Sequence, residues 1–108
     1  MGASEDVLGV QFDRSGRQLT VYLDGELDLT SAPAFADAVI EECGDDVSSL
    51  TLDVSTLTFC DSAGLAAIVR IQEEAAAQGK KLILYQPGPL LRRLLAVTKV
   101  DSVVDIRS

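Results

Sequence analysis

The sequence predicts an α/β fold, a mixed sheet of four to five strands with helices packed against it. Segments in which apolar and polar residues alternate indicate strands, and segments whose apolar residues recur at helical spacing indicate helices. After the first two strands, these two kinds of segment follow one another along the chain. Strands separated by single helices are expected to run parallel, whereas two strands near the start are expected to form an antiparallel hairpin. No repeat or linker interrupts this order, so residues 1–108 are predicted to form one domain with a core at about 7–106.

Two alternating runs open the chain and predict the hairpin. Leu8, Val10 and Phe12 share one face of the first run, and Leu19, Val21 and Leu23 share one face of the second. The segment "DRSGR" between them has the composition of a turn. Gly25 is predicted to end the second strand.

A helix is predicted after this hairpin. Thr30 or Ser31 can cap its start, and its first turn tolerates Pro33. It is expected to continue to about Cys43, before Gly44 and two aspartates end it. Its buried face is predicted to contain Phe35, Ala38 and Val39.

The middle of the chain predicts a strand and the longest helix. Leu50, Leu52 and Val54 alternate with polar residues, and "TLTF" leads on toward the stretch "CDSAG". A helix is predicted from Ala63 to Gln78, with Gly79 as its C-terminal cap. Its helix-spaced residues are Leu65, Ile68, Ile71, Gln72 and Ala75.

The last part predicts a strand, a helix and a final strand. The run "KKLILY" is typical of a strand inside a sheet, and "QPGP" is typical of a turn. A short helix is expected to begin at Pro89, followed by a closing strand in "VVDI".

Composition excludes several classes of function. A formal net charge of -8 and a pI near 4.3 disfavour binding to nucleic acid or to an anionic membrane, and favour a basic partner surface. The sequence contains no membrane-length apolar run and no secretory signal, so a cytoplasmic protein is expected. Cys43 and Cys60 are predicted to be buried thiols rather than a disulfide.

The turn "CDSAG" carries the most distinctive chemistry. Ser62 stands between a strand and a helix, where free helix amides and the helix dipole favour negative charge. Asp61 or Ser62 could simply be a helix cap. A Ser-His-acid triad is excluded because the chain has no histidine, and no enzyme, metal site or cofactor is predicted. A hydroxyl in this position suits the substrate of another protein's kinase, because the helix start tolerates a phosphate.

Four segments resemble the STAS-domain anti-anti-sigma factors of bacteria. They are "GELDLTSAP", "LTLDVSTLTFCDSAGLAAIVR", "GKKLILYQPGPLLRRLLAV" and "VVDI", and the resemblance covers about residues 7–106. It implies that the unphosphorylated protein binds an anti-sigma factor, which is also a serine kinase with a GHKL-type ATP-binding fold, and releases the sigma factor. Phosphorylation of Ser62 would end this binding, and a PP2C-type phosphatase would restore it.

The resemblance also implies which residues contact the partner. They surround the start of the second helix and the neighbouring loop: Asp61, Ser62, Gly64, Leu65, Asp28, Thr30 and Ser31. Gly64 is interpreted as leaving room for the backbone of the partner. Many relatives carry a second hydroxyl after the acceptor serine, but Ala63 fills that position here.

An alternative hypothesis keeps the fold and changes the role. The protein would then be a STAS scaffold or a ligand-sensing module that binds a different protein or a small molecule. The phosphorylatable serine favours the antagonist hypothesis over this one.

Overall fold

The computed structural model describes residues 8–108. Its strands and helices are, in chain order, β1 Leu8–Ser15, β2 Gln18–Leu27, α1 Ala32–Glu42, β3 Ser49–Cys60, α2 Ser62–Ala77, β4 Lys81–Tyr85, α3 Pro89–Val97 and β5 Asp105–Arg107, with a 3-10 turn at Val100–Ser102 before β5. The sequence boundary predicted at residue 7 lies outside the described residues.

The strands form one five-stranded sheet in the order β1-β2-β3-β4-β5. β1 pairs antiparallel with β2, and the three other neighbouring pairs are parallel. The predicted α/β fold with a mixed sheet is therefore confirmed. The parallel arrangement places the carboxyl ends of β2, β3 and β4 at the same edge, where open α/β sheets carry their sites.

The core lies on one face of the sheet. In register, Leu19 pairs with Leu50 and Leu50 pairs with Leu82, so these buried side chains share a face. The apolar sides of the helices complete this core through Phe35 and Val39 of α1, Ile68 and Ile71 of α2, and Leu91 and Leu95 of α3. The opposite face carries the alternate residues and remains largely exposed.

Two predictions about the first half of the chain are wrong. β2 does not end at Gly25 but continues to Leu27, because register shifts against β3 accommodate the φ of 107° at this glycine. In α1, Ala36 is buried instead of Ala38, since the buried stripe follows Ala32 at i+3, i+4 and i+7. Phe12 is 38% exposed on the edge strand β1.

Other elements shift by a few residues. α2 begins at Ser62, one residue earlier than predicted, and ends before Gln78. The closing strand begins at Asp105, because Val103 and Val104 lie in the turn and the bend that follow the 3-10 turn. Cys43 and Cys60 are free thiols, but both are half-buried rather than buried.

Candidate functional site

Two turns meet at the carboxyl edge of the sheet. Leu27 and Cys60 are register partners at the ends of β2 and β3, so the segments that follow them are neighbours, on strands about 4.8 Å apart. We call residues 28–31 the first turn and residues 61–64 the second turn. The backbone N–H of Asp61 donates to the carbonyl of Leu27 at 3.3 Å, which joins the second turn to the end of β2.

The first turn uses all its hydroxyl groups internally. Oδ1 of Asp28 accepts hydrogen bonds from the Thr30 hydroxyl at 2.7 Å, the Thr30 amide at 3.0 Å and the Ser31 amide at 3.2 Å. The Ser31 hydroxyl donates to the carbonyl of Glu26 and accepts from the amide of Asp28, each at 3.0 Å. Ser31 occupies the N-cap position of α1, as predicted, but its side chain makes no capping bond.

These bonds stabilise the carboxylate of Asp28. The hydrogen bond from the Thr30 hydroxyl is the largest cause that lowers the pKa of Asp28 below its usual value, with smaller contributions from the amides of Ser31 and Thr30. Asp28 is therefore ionised at neutral pH and fixed in direction. The first turn, held by these internal hydrogen bonds, places a carboxylate beside the second turn.

The hydroxyl of the second turn has no partner among the residues that the structure describes. Asp61 is the N-cap of α2, and its Oδ1 accepts from the amide of Gly64 at 2.9 Å. Ser62 is the first residue of the helix, its side chain is exposed, and its hydroxyl makes no hydrogen bond within residues 8–108. The first amides of a helix also lack intrahelical acceptors, so an acceptor group on Ser62 would find donors close by.

Gly64 is required by the interior of the protein. A Cβ at this position would lie 2.5 Å from the carbonyl oxygen of Leu27 and 2.8 Å from Sγ of Cys60. The predicted reason for this glycine, room for the backbone of a partner, is therefore wrong, because the absent side chain would point into the fold. Gly64 lets α2 begin directly against the end of β2, which sets the position of Ser62.

Leu65 has a similar structural role. Its side chain is only 6% exposed and belongs to the core between the helices and the sheet. A side chain buried in this way is not available to a docked partner, so the predicted contact through Leu65 is not supported by its position. Asp28, Thr30, Asp61 and Ser62 are the predicted residues that the structure brings together at the surface.

Two exposed apolar side chains beside the turns were not predicted. Leu29, within the first turn, is 72% exposed, and Phe59, just before the second turn, is 49% exposed. Phe59 lies in the segment "TLTF", which was predicted only to follow the strand, and alternation does not show which face it occupies, because register shifts between β2 and β3 change the face. The position of Leu29 in the polar segment "DLTS" is the signal in the sequence that could have revealed it.

The charges around Ser62 are negative. The ion pairs within residues 8–108 involve Asp37, Asp46 and Asp105, so neither Asp28 nor Asp61 is paired with a cation there. Burial, and secondarily the charge of Asp61, raise the pKa of the Cys60 thiol to about 11. This thiol is therefore protonated at neutral pH and is a poor nucleophile.

The described part of the chain contains neither a group of metal ligands nor a helix that could span a membrane. Within residues 8–108, no group of three or more histidine, cysteine or acidic residues is arranged to hold a metal ion. No helix there combines the length and apolar character needed to cross a bilayer.

Comparison with known proteins adds an independent finding. A family model described as "Mlab, STAS domain" matches residues 10–105. The anti-sigma-F factor antagonist RsfB of Mycobacterium tuberculosis is 28% identical over 102 residues, which cover 94% of this chain and 82% of RsfB. The anti-sigma-B factor antagonist of Listeria monocytogenes is 22% identical over 96 residues, covering 89% and 84%.

Solved structures show the same fold. An anti-sigma factor antagonist from Mycobacterium paratuberculosis superposes with a TM-score of 0.82 at 23% identity, over 93% of this chain and 85% of that chain. SpoIIAA of Bacillus, solved in its phosphorylated form, superposes with a TM-score of 0.70 at 20% identity, over 93% and 92% of the two chains.

Proposed function

The chain belongs to the STAS domain family, and from this premise we propose that it is an anti-sigma factor antagonist whose partner binding is switched by phosphorylation of Ser62. The names of the RsfB and Listeria relatives support the antagonist role. The observation that carries the switch is the exposed Ser62 hydroxyl at the start of α2, which makes no hydrogen bond within residues 8–108.

In the unphosphorylated state, the two turns form the binding surface. Asp28 and Asp61 supply charge, Thr30 and Ser62 supply polar surface, and Leu29 adds exposed apolar area. The partner is an anti-sigma factor with a complementary basic surface, and its capture releases the sigma factor. Ser31, Gly64 and Leu65 hold this surface in place from within.

Phosphorylation changes the charge at the centre of this surface. A phosphate adds about -1.5 to -2 charges next to two carboxylates, Asp28 and Asp61, that form no ion pair within residues 8–108. The fold tolerates it, because the free amides at the start of α2 can donate to its oxygens. A partner docked over the same turn would have to accommodate this bulk and charge in a desolvated interface, so binding is lost. SpoIIAA, which shares this fold, exists in a phosphorylated form, and this supports the proposal.

The remaining components follow from the family resemblance. The anti-sigma factor is itself the serine kinase, with a GHKL-type ATP-binding fold, and a PP2C-type phosphatase removes the phosphate. The antagonist contributes no catalytic group and acts in the cytoplasm as the substrate and binding partner of these proteins.

The direct test is to incubate the protein with candidate anti-sigma factor kinases and ATP, and to map the modified residue by mass spectrometry. We expect modification of Ser62 and none of Thr30 or Ser31, whose hydroxyls are engaged within the first turn. Ser62→Ala should bind the kinase whether or not ATP is present, whereas Ser62→Glu should bind about tenfold more weakly or worse.

A matched control separates position from charge. Ser15→Glu adds the same charge at the opposite end of the sheet, since Ser15 pairs with Gln18 at the start of β2, and it should bind like the wild type. Equal binding by the Ser62→Ala, Ser62→Glu and phosphorylated forms would contradict the switch. Absence of any kinase interaction would favour the scaffold or ligand-sensing hypothesis.

A further inference from the structure

An apolar cleft lies between the end of β3 and the start of α3. β4 accompanies β3 only as far as the pair Asp53 and Tyr85, and β3 then continues to Cys60 with β2 as its neighbour. The chain leaves the sheet after Tyr85 and begins α3 at Pro89. The space between them has a volume of about 200 Å³, and its walls include Leu57, Phe59, Cys60, Gly88, Leu90 and Leu91.

The polar side chains of the cleft are already engaged. The Thr58 hydroxyl donates to the carbonyl of Gly25 at 2.9 Å, and the Cys60 thiol donates to the carbonyl of Asp61 at 3.6 Å. Small-molecule sites usually offer a few convergent polar groups, and this cleft has none among its lining side chains. Its rim is apolar, since Phe59 on one wall is 49% exposed and Leu90 on the other is 81% exposed. These properties suit an apolar side chain from a protein.

The wall of the cleft formed by β3 has acidic neighbours, whereas Arg92 and Arg93 follow Leu91 on the wall formed by α3. Between Arg17 and Arg70 the sequence contains no lysine or arginine but many acidic residues. Glu26 is the register partner of Phe59, and Asp61 directly follows Cys60, so carboxylates lie next to the wall formed by β3. A segment that crosses this wall meets negative charge, which lysine or arginine would complement.

We propose that the cleft receives an apolar side chain from a segment of the anti-sigma factor in which lysine or arginine residues flank that side chain. This inference rests on the proposed function and extends the interface beyond the two turns. Cys60 lines the cleft and Ser62 follows two residues later, so the cleft and the second turn form a continuous surface. The same segment therefore anchors in the cleft and lies close to the phosphorylation site.

Gly88 provides a variant that fills the cleft without straining the fold. Its backbone has φ -73° and ψ 174°, which any residue can adopt, and a Cβ at this position meets no atom within 4 Å. Gly88→Phe should fill the cleft and weaken binding of the kinase about tenfold or more, whereas Gly88→Ala should stay within about twofold of the wild type. Titration calorimetry measures the affinities, and thermal unfolding verifies that both variants are folded.

A cross-linking experiment identifies the occupant. Benzoylphenylalanine in place of Leu90, at the exposed rim, is irradiated in the complex with the purified kinase, and the cross-linked peptide is sequenced by mass spectrometry. We expect one kinase segment that carries an apolar residue between lysines or arginines. A cross-link to an acidic segment would overturn the proposal.

The outcomes separate this inference from the proposed function. If the kinase binds the wild type, Gly88→Ala and Gly88→Phe equally well, the cleft is not part of the interface, and the antagonist function still stands. If the wild-type protein binds no candidate kinase, the proposed function fails and this inference fails with it.

Discussion

The first and second turns have similar composition but use their side chains in opposite ways. Both follow the ends of adjacent parallel strands, and both carry an aspartate and a serine at the start of a helix. In the first turn the serine and threonine hydroxyls bond to backbone and carboxylate groups, whereas in the second turn the Ser62 hydroxyl has no internal partner within residues 8–108.

This difference shows why one serine of the two is suited to modification. A kinase needs a hydroxyl that it can reach and reorient, and Ser31 would have to break two hydrogen bonds of 3.0 Å first. Loss of these bonds would also disturb the loop that leads into α1. Ser62 can be modified with no change in the hydrogen bonds of the described residues.

The largest effect on the free energy of unfolding is expected when Gly64 is replaced. Alanine is usually better than glycine inside a helix by about 0.5 to 1 kcal/mol. Gly64→Ala should nevertheless lower the free energy of unfolding by about 2 to 3 kcal/mol, because its Cβ would overlap the Leu27 carbonyl and the Cys60 thiol. Thermal unfolding measures this as a fall in Tm of roughly 10 °C or more.

Gly88→Ala is the matched control for this substitution. It should change the free energy of unfolding by less than about 0.5 kcal/mol, since no atom lies within 4 Å of its Cβ and its φ is ordinary. If Gly64→Ala were as stable as the wild type, α2 could begin away from β2, and the positioning role of Gly64 would be disproved.

Replacing Asp61, the N-cap of α2 in the second turn, is expected to have a smaller effect on the free energy of unfolding. Asp61→Ala removes the acceptor of the Gly64 amide and should reduce the free energy of unfolding by about 1 kcal/mol. Asp61→Asn keeps an acceptor oxygen and should lose less. Urea unfolding at neutral pH measures both variants, and equal losses would show that the charge of Asp61, rather than its hydrogen bond, stabilises the turn.

The smallest effect is a pH dependence confined to the first turn. The pKa of Asp28 is lowered from its usual value of 3.8, mainly by the hydrogen bond from the Thr30 hydroxyl. A lowered folded-state pKa means that this stabilisation is fully present above pH 3.8 and is lost as the pH falls through the lowered value. Removing the hydroxyl should raise the pKa of Asp28 back toward 3.8.

Carboxyl NMR titration tests this at the residue itself. The midpoint for Asp28 should lie below 3.8 in the wild type and should move upward in Thr30→Ala. Thr58→Ala, whose hydroxyl bonds to the carbonyl of Gly25, should leave the midpoint unchanged. An identical midpoint in the wild type and Thr30→Ala would show that the hydroxyl does not hold the carboxylate.

Most of the fold could be predicted from the sequence because its signals are local. Alternating residues such as Leu50 and Leu52 define the strands, and helical spacing defines α2. The extension of β2 through Gly25 could not be predicted, because the register shifts that accommodate it depend on pairing with β3. The helix start at Ser62 was predicted closely, since strand, turn and helix are consecutive there.

The candidate site was only partly predictable from the sequence, because some of its features depend on how distant segments pack together. Ser62 and Asp61 stand out in the sequence as polar residues at a helix start, and the absence of histidine excludes a Ser-His-acid triad. The exposure of Phe59 and the burial of Leu65 depend on which face of a strand or helix is covered. The cleft beside α3 exists because β4 ends before β3 does.

The sequence by itself determined that this protein has an α/β fold and presents a serine at a helix start in a chain that contains no histidine. Tertiary structure decided why Gly64 is a glycine and which side chains beside the turns are exposed. The close contact at Gly64 depends on the pairing of Leu27 with Cys60, which brings two turns far apart in the chain side by side. Propensity, alternation and the hydrogen bonds of the first turn act over a few residues, whereas close contact and exposure are set by neighbours that the fold supplies.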